Sequence, residues 1–313
     1  MSEALQTQTT PTLYFIGVTT GKSSIMKVFP EWSNVLGLGA QIVGYDAQIH
    51  APAEDYRRIV QHIKDDPLSQ GALVTTHKID LLAACRDMFD YIDPYAEICG
   101  EISCIAKVDG QLQGYAKDPI TSGLTLENFV PPQHWQQTQA DVLCLGAGGA
   151  AIAIGVYMAE QQGNTPRKII VVDISQKRLD AIREIYEKLH TPIQFAYHLV
   201  TDGAKNAALM ADLPAGSMVI NATGLGKDRP GSPITDDAIF PQEGLIWELN
   251  YRGERDFMQQ AAKQVADRNL TIEDGWVYFL HGWSQVIAEV FQIELTRERF
   301  KRLDEVASGF RSK

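Results

Sequence analysis

The stretch ADVLCLGAGGAA, residues 140–151, constrains this chain more than any other part of it. Val142, Leu143, Cys144 and Leu145 form a short apolar run of strand character. Gly146-Ala147-Gly148-Gly149-Ala150-Ala151 then makes a glycine turn, and AIAIGVYMAEQQ continues as a helix. A strand that passes through such a turn directly into a helix is the context a dinucleotide fingerprint requires. The first glycine permits the tight turn and the second lets the backbone approach a pyrophosphate. The helix N-terminus supplies N–H groups and a positive dipole end to that anion. Gly146, Ala147, Gly148, Gly149 and Ala150 are therefore candidate cofactor-binding residues, with Ala151 a sterically mild replacement for the third glycine.

The next apolar strand, KIIVVDIS, ends at Asp173. A carboxylate at that tip is placed to accept hydrogen bonds from ribose hydroxyls and to repel a 2′-phosphate. The expected cofactor is NAD in preference to NADP, although Lys177 and Arg178 follow closely. KRLDAIREIYEKL reads as a helix, and SMVINATG and LIWELNY read as further strands. Strands alternating with helices imply a parallel sheet with helical crossovers.

The first third of the chain shows a similar alternation. TLYFIGV, QIVGYDAQI and GALVTTH have strand character, while EDYRRIVQHIKD and IDLLAACRDMFDYI carry apolar residues at helical spacing. ISCIAKVDGQLQGYA places two alternating runs around Asp109-Gly110, a hairpin signal. ITSGLTLENFV reads as a connecting helix and PPQHWQQTQ, with paired prolines and no periodicity, as a linker. The last segment reads as two helices with no strand between them. The expected fold is α/β throughout: an N-terminal α/β catalytic and substrate-binding domain over 11–120, a C-terminal Rossmann domain over 121–274, and helices over 275–313 that return to the first domain.

Lys and Arg number 28 against 39 Asp and Glu, a formal net charge of −11. That balance repels phosphate backbones and argues against nucleic acid as a partner. No run approaches the roughly 20 apolar residues of a membrane span, so no membrane association is expected. The opening MSEALQTQTT lacks the basic and apolar regions of a secretory signal and reads as a disordered tail. Cys85, Cys99, Cys104 and Cys144 form no CxxC and have no histidine at zinc-site spacing. They are expected to be reduced structural thiols of a cytoplasmic protein, with no metal site.

With these residues in view, the chain resembles the shikimate and quinate dehydrogenase family over nearly its whole length. Asn221-Ala222-Thr223, with Gly224 and Gly226, looks like that family's NAT-x-x-G loop, which lies near the nicotinamide. Glu248-Leu249-Asn250-Tyr251 looks like its D-x-x-Y stretch, which would place Tyr251 close to the substrate. Thr75-Thr76-His77-Lys78 resembles the strand-end VTxPxK motif without its proline, and the resemblance makes Lys78 the catalytic lysine and Thr75 a substrate contact. Gly114-Tyr115-Ala116-Lys117-Asp118, followed by Gly123, resembles G-x-N-T-D-x-x-G with asparagine and threonine replaced, and it makes Asp118 the catalytic aspartate.

Other departures fall on the substrate pocket. The paired serines of S-x-S-P-x-x-H-N, which hold a carboxylate in the family, correspond loosely to Gly21-Lys22-Ser23-Ser24, making Ser23 and Lys22 candidate substrate contacts. Gly100-Glu101-Ile102-Ser103-Cys104 stands where the family has G-A-V-N-T, so Ser103 replaces a substrate-binding asparagine. His281 and Gln285 are the candidates for the glutamine of the returning helix.

The resemblance implies oxidation of a secondary alcohol on a small polar ring, a cyclic hydroxy acid or polyol, by a monomer or homodimer. Lys78 and Asp118 would hydrogen-bond the reacting hydroxyl, and burial can bring a lysine's pKa down from about 10.4 toward the working range. Two other readings compete. One is a methylene-tetrahydrofolate-dehydrogenase-like enzyme, against which the separate Asp118 and the NAT loop argue. The other is a non-catalytic NAD-binding sensor or accessory protein, favoured by the altered serine motif.

Overall fold

The computed structural model describes residues 5–227 and 229–311. The chain divides into two compact units, Met1–Lys117 with Gly282–Lys313, and Asp118–His281. The expected boundaries at 120 and 274 lie three and seven residues from these divisions.

The first unit begins β1 (Thr12–Gly17), α1 (Ile25–Leu36), β2 (Gln41–Asp46), α2 (Ala53–Asp65), β3 (Ser69–Val74) and α3 (Lys78–Cys85). It continues with β4 (Tyr91–Ile92), α4 (Pro94–Cys99), β5 (Cys104–Val108) and β6 (Gln111–Tyr115). Its sheet has the order β2-β1-β3-β5-β6-β4. β1 runs parallel to β2 and β3, whereas β5 is antiparallel to both β3 and β6. Asp109 and Gly110 both have positive φ, the conformation of a two-residue hairpin turn. Tyr14 and Ile16 of β1, Ala72 and Val74 of β3, and Ile59 and Ile63 of α2 close one buried core. Of the polar leader expected to be disordered, residues 1–4 lie outside the described residues. Leu5 packs against the core and the Gln8 N–H donates to Asp66, so the segment is docked from that point.

The second unit contains α5 (Asp118–Phe129), α6 (His134–Thr138), β7 (Val142–Leu145), α7 (Gly149–Glu160), β8 (Lys168–Asp173), α8 (Gln176–Tyr186) and β9 (Gln194–Leu199). α9 (Gly203–Ala211), β10 (Met218–Asn221), β11 (Leu245–Glu248), α10 (Asp256–Ala262), α11 (Val265–Arg268) and β12 (Thr271–Glu273) follow. Every strand pair in its sheet is parallel, in the order β12-β11-β10-β7-β8-β9. The order reverses between β7 and β10, and ligands of such sheets bind at that switch point, outside the carboxyl ends of the strands.

The segment expected to be a bare linker carries α6. His134 and Trp135 are buried, and His134 Nε2 donates to the Gly216 carbonyl at 2.7 Å. Two buried side chains and a long-range hydrogen bond outweigh the local signal of the prolines. Gly123 lies in α5 where an added Cβ would stand 2.1 Å from the Tyr157 ring, so α5 and α7 pack closely only because that side chain is absent.

The division between the units falls inside α12 (Trp276–Val290), and α13 (Arg297–Ser308) follows. In the first unit α13 packs on α1, where the fully buried Trp32 donates from Nε1 to the Leu303 carbonyl at 2.8 Å. All four cysteines are buried free thiols, and burial pushes Cys85 and Cys144 up to about 12. Among the described residues, no helix is long and apolar enough to cross a membrane.

Candidate functional site

At the switch point of the all-parallel sheet, Gly146 has φ +112, and a Cβ there would lie 2.7 Å from the Ala222 carbonyl oxygen. Only glycine accepts both the conformation and the approach. α7 starts at Gly149 with Gly148 as its cap, and Gly148, Gly149 and Ala150 are partly exposed at that N-terminus. The turn is fixed from the side by Asp173, whose carboxylate accepts the Ala147 N–H at 2.8 Å and the Ser175 N–H at 2.8 Å. Asp173 is thus first a brace for the glycine turn. Gly146, Asp173, Arg178, Ala222, Thr223 and Arg229 all line one cavity of about 120 Å³. A glycine cradle, a helix N-terminus and a carboxylate at the strand tip fit a dinucleotide.

The loop after β10 is held by a buried polar knot. Asn221, fully buried, donates from Nδ2 to Glu248 at 2.8 Å and accepts the Thr223 hydroxyl at 2.7 Å. Glu248 also accepts the Asn250 N–H at 2.9 Å, and Asn250 Nδ2 donates to the Leu225 carbonyl at 2.9 Å. The Asn221 amide therefore shapes the loop from inside, while Ala222, Thr223 and Gly224 form its partly exposed surface. Burial pushes the Glu248 carboxyl up to about 7, against the lowering effect of its bonds from Asn250 and Asn221. Tyr251 stacks 4.5 Å from Phe279 and lies 6.0 Å from Trp276, so this aromatic cluster packs as core with Tyr251 at its edge.

In the first unit, the carboxyl ends of β1, β2 and β3 meet the start of β5 and the end of β6. Lys78 opens α3, and its Nζ lies 3.7 Å from Glu101, which is 2% exposed. His77 is buried with both ring nitrogens engaged. Nε2 donates to the Gly17 carbonyl at 3.2 Å, and Nδ1 shares a hydrogen bond with the Tyr56 hydroxyl at 3.0 Å. Thr76, which precedes His77, has φ +53, a left-handed conformation that is strained for a β-branched residue. Lys78 follows Val74 by four positions, where VTxPxK spaces its lysine by five, and the shorter turn carries that strain.

Around this end, Thr75 sits against Gly17, and Ser23 closes the short 3₁₀ turn Thr20–Lys22, whose Lys22 is exposed. The Thr20 N–H and hydroxyl both donate to Asp46, at 2.7 and 2.6 Å. Ser103 is buried and its hydroxyl accepts the Lys117 N–H at 2.8 Å. The Lys117 ammonium donates to Glu289 at 2.5 Å and lies 4.5 Å above the Tyr115 ring. Gln285 stands one turn before Glu289 on α12, and both line the same open depression.

Lys78 and Asp118 fall in different units, Asp118 being the first residue of α5. A carboxylate paired with Lys78 within its own unit is Glu101, which stands where the G-A-V-N-T pattern has alanine. His281 is buried in α12, the last residue of its unit. Among the described residues, no group of three or more His, Cys, Asp or Glu side chains could hold a metal ion.

No family model matches the chain. A shikimate dehydrogenase (NADP(+)) of Streptococcus thermophilus is 29% identical over 178 residues, 56% of this chain and 58% of that protein. The matched part of this chain thus spans less than two-thirds of that relative. The chain is related to the shikimate dehydrogenases. The Listeria monocytogenes shikimate 5-dehydrogenase, solved in complex with shikimate and NAD, superposes with a TM-score of 0.72 at 16% identity, over 94% of this chain and 96% of that one. The ligand-free 5-ketofructose reductase of a Gluconobacter strain gives 0.69 at 18% identity, covering 94% and 97%. Both structural likenesses are of fold, two α/β units with one Rossmann-like sheet.

Proposed function

We propose that the chain is a nicotinamide-dependent dehydrogenase acting on a CH–OH group of a small polar compound, in the family's case a ring such as shikimate or quinate. The observation that supports it best is the pairing of Lys78 with buried Glu101 at a strand-end face, in a chain that also carries the Gly146 cradle. A nicotinamide held by the Gly146 cradle would supply the acceptor for the carbinol hydride. Lys78 takes the hydroxyl proton as the C–O bond becomes a carbonyl, and returns it in reduction. Glu101, 3.7 Å from the Lys78 Nζ, positions that side chain. Asp118 is proposed as the second hydroxyl ligand on the strength of the family resemblance.

NAD is the proposed cofactor, because a carboxylate at the β8 tip, Asp173, would repel a 2′-phosphate. NADP has an observation in its favour as well. Arg178 and Arg229 line the same cavity, and the Streptococcus thermophilus relative is named for NADP(+). The test is reduction of NAD and of NADP, followed by absorbance, against shikimate, quinate and other cyclic and open polyols. The expected result is turnover with at least one alcohol and kcat/KM higher for NAD. Higher kcat/KM for NADP gives the specificity to the two arginines, and binding of the cofactor with no turnover on any alcohol leaves a non-catalytic dinucleotide binder. Asp173→Asn is expected to shift the NAD-to-NADP ratio toward NADP by about tenfold, the equivalent of about 1.4 kcal/mol.

A further inference from the structure

We infer that the strand-end face of the first unit takes an uncharged, hydroxyl-rich ligand, a polyol or hydroxy-ketone lacking a carboxylate. This rests on the dehydrogenase reading above and narrows its substrate. The ligand crevice of an open sheet lies outside the carboxyl ends of its parallel strands. At that end of β1, β2 and β3, the ammonium groups drawn in from solvent already have carboxylates. Lys78 has Glu101 at 3.7 Å, and Lys117 has Glu289 at 2.5 Å. Two further carboxylates stand on the same side. Asp46 holds Thr20, and the buried Asp93 accepts the Ala96 and Ala116 N–H groups at 2.8 and 3.0 Å. Lys22 lies at the rim, exposed.

An entering carboxylate would face this excess of negative charge. To reach either lysine it would have to displace Glu101 or Glu289, leaving a partly or wholly buried carboxylate without its cation, which is strongly unfavourable. Beside the retained Ser23, the second hydroxyl of the S-x-S pattern is absent and that of Ser103 is not free to hold an acid. At the S-x-S spacing from Ser23 the chain has Ile25, which is fully buried, and the Ser103 hydroxyl is taken up by the Lys117 N–H. A ligand hydroxyl fits without breaking anything. It donates to a carboxylate oxygen and accepts from the adjoining ammonium, so both ion pairs persist.

The experiment compares matched pairs by calorimetry on the full chain saturated with NAD or NADP: methyl quinate against quinate, methyl shikimate against shikimate, and glucitol against gluconate. The neutral member of at least one pair is expected to bind at least about tenfold tighter than its acid, as like-charge repulsion dictates. Glu289→Gln exposes the Lys117 charge and is expected to raise affinity for the acid of that pair by about tenfold relative to its neutral member. A merely structural role for Glu289 would weaken both members alike. Acids binding as tightly as their neutral partners, a ratio unmoved by Glu289→Gln, or no binding by any member would each overturn the inference. The dehydrogenase reading fails on a different result, the absence of turnover with every alcohol while ligand and cofactor still bind.

Discussion

The two strand-end faces are built from different materials. In the second unit the face is mostly backbone: a glycine turn, a helix N-terminus and a loop whose side chains point inward to hold one another. In the first unit it is mostly charged side chains, paired across long sequence separations, Lys78 with Glu101 and Lys117 with Glu289. A backbone site suits a ligand part common to many proteins, because it asks only for particular dihedrals and the absence of Cβ atoms. A side-chain site can be rewritten residue by residue, and the departures from the shikimate dehydrogenase pattern are concentrated there.

The comparison is tested most severely at Lys78. Lys78→Ala is expected to lower turnover by about 10²- to 10⁴-fold with dinucleotide affinity unchanged in calorimetry. Equal losses in both measurements would mean that Lys78 supports the fold rather than the chemistry. Glu248 probes a strongly perturbed carboxylate behind the backbone face. Its folded value of about 7 lies above the reference value of 4.5. Between these values the folded chain holds a proton that the unfolded chain has released, so stability is full below the lower value and declines as pH rises through the upper one. The whole change amounts to roughly 3 kcal/mol. Denaturant titrations across that window should show this decline in the parent chain and a flatter profile in Glu248→Gln. Parallel profiles would remove Glu248 as its source.

Gly146→Ala tests the backbone face directly. The new Cβ combines a left-handed φ with a 2.7 Å approach to the Ala222 carbonyl. Strain and overpacking each cost about 1–3 kcal/mol. If the turn shifts to relieve them, dinucleotide affinity should fall by roughly 10²-fold with the first unit's ligand binding retained. Retained dinucleotide affinity would show that the turn is not the cradle.

The same contrast explains what the sequence made legible. The Rossmann series, the Asp109-Gly110 hairpin and the two closing helices followed from periodicity and turn chemistry, which are local. The edge strands β4, β9 and β12 did not, because they are short or half-exposed and are defined by pairing with distant strands. α6 was hidden beneath a proline pair. At the sites, Gly146 and Asp173 carried their own context. Glu101 and Glu289 are ordinary acidic residues until the fold sets them against Lys78 and Lys117. No spacing rule connects Lys117 to a residue 172 positions later. Glu248 was read only as a conservative replacement, and its burial beside Asn221 is a tertiary fact.

The smallest effect concerns the turn that carries Lys78. Thr76 is a β-branched residue at φ +53 and exposed, so no buried contact is lost when its side chain is removed. Glycine adopts that conformation without the Cβ penalty, although it also makes the unfolded chain more flexible, which opposes the gain. The net expectation for Thr76→Gly is a stabilisation of up to about 1 kcal/mol, read as a higher denaturation midpoint at constant m-value. If the strained turn also presents Lys78 to the substrate, the same variant should lose turnover while gaining stability, since glycine relaxes the geometry the strain maintained. A gain in stability with unchanged turnover would assign the strain to the shortened motif alone. A loss of stability would show that the left-handed turn draws more from the threonine side chain than its dihedral angles cost.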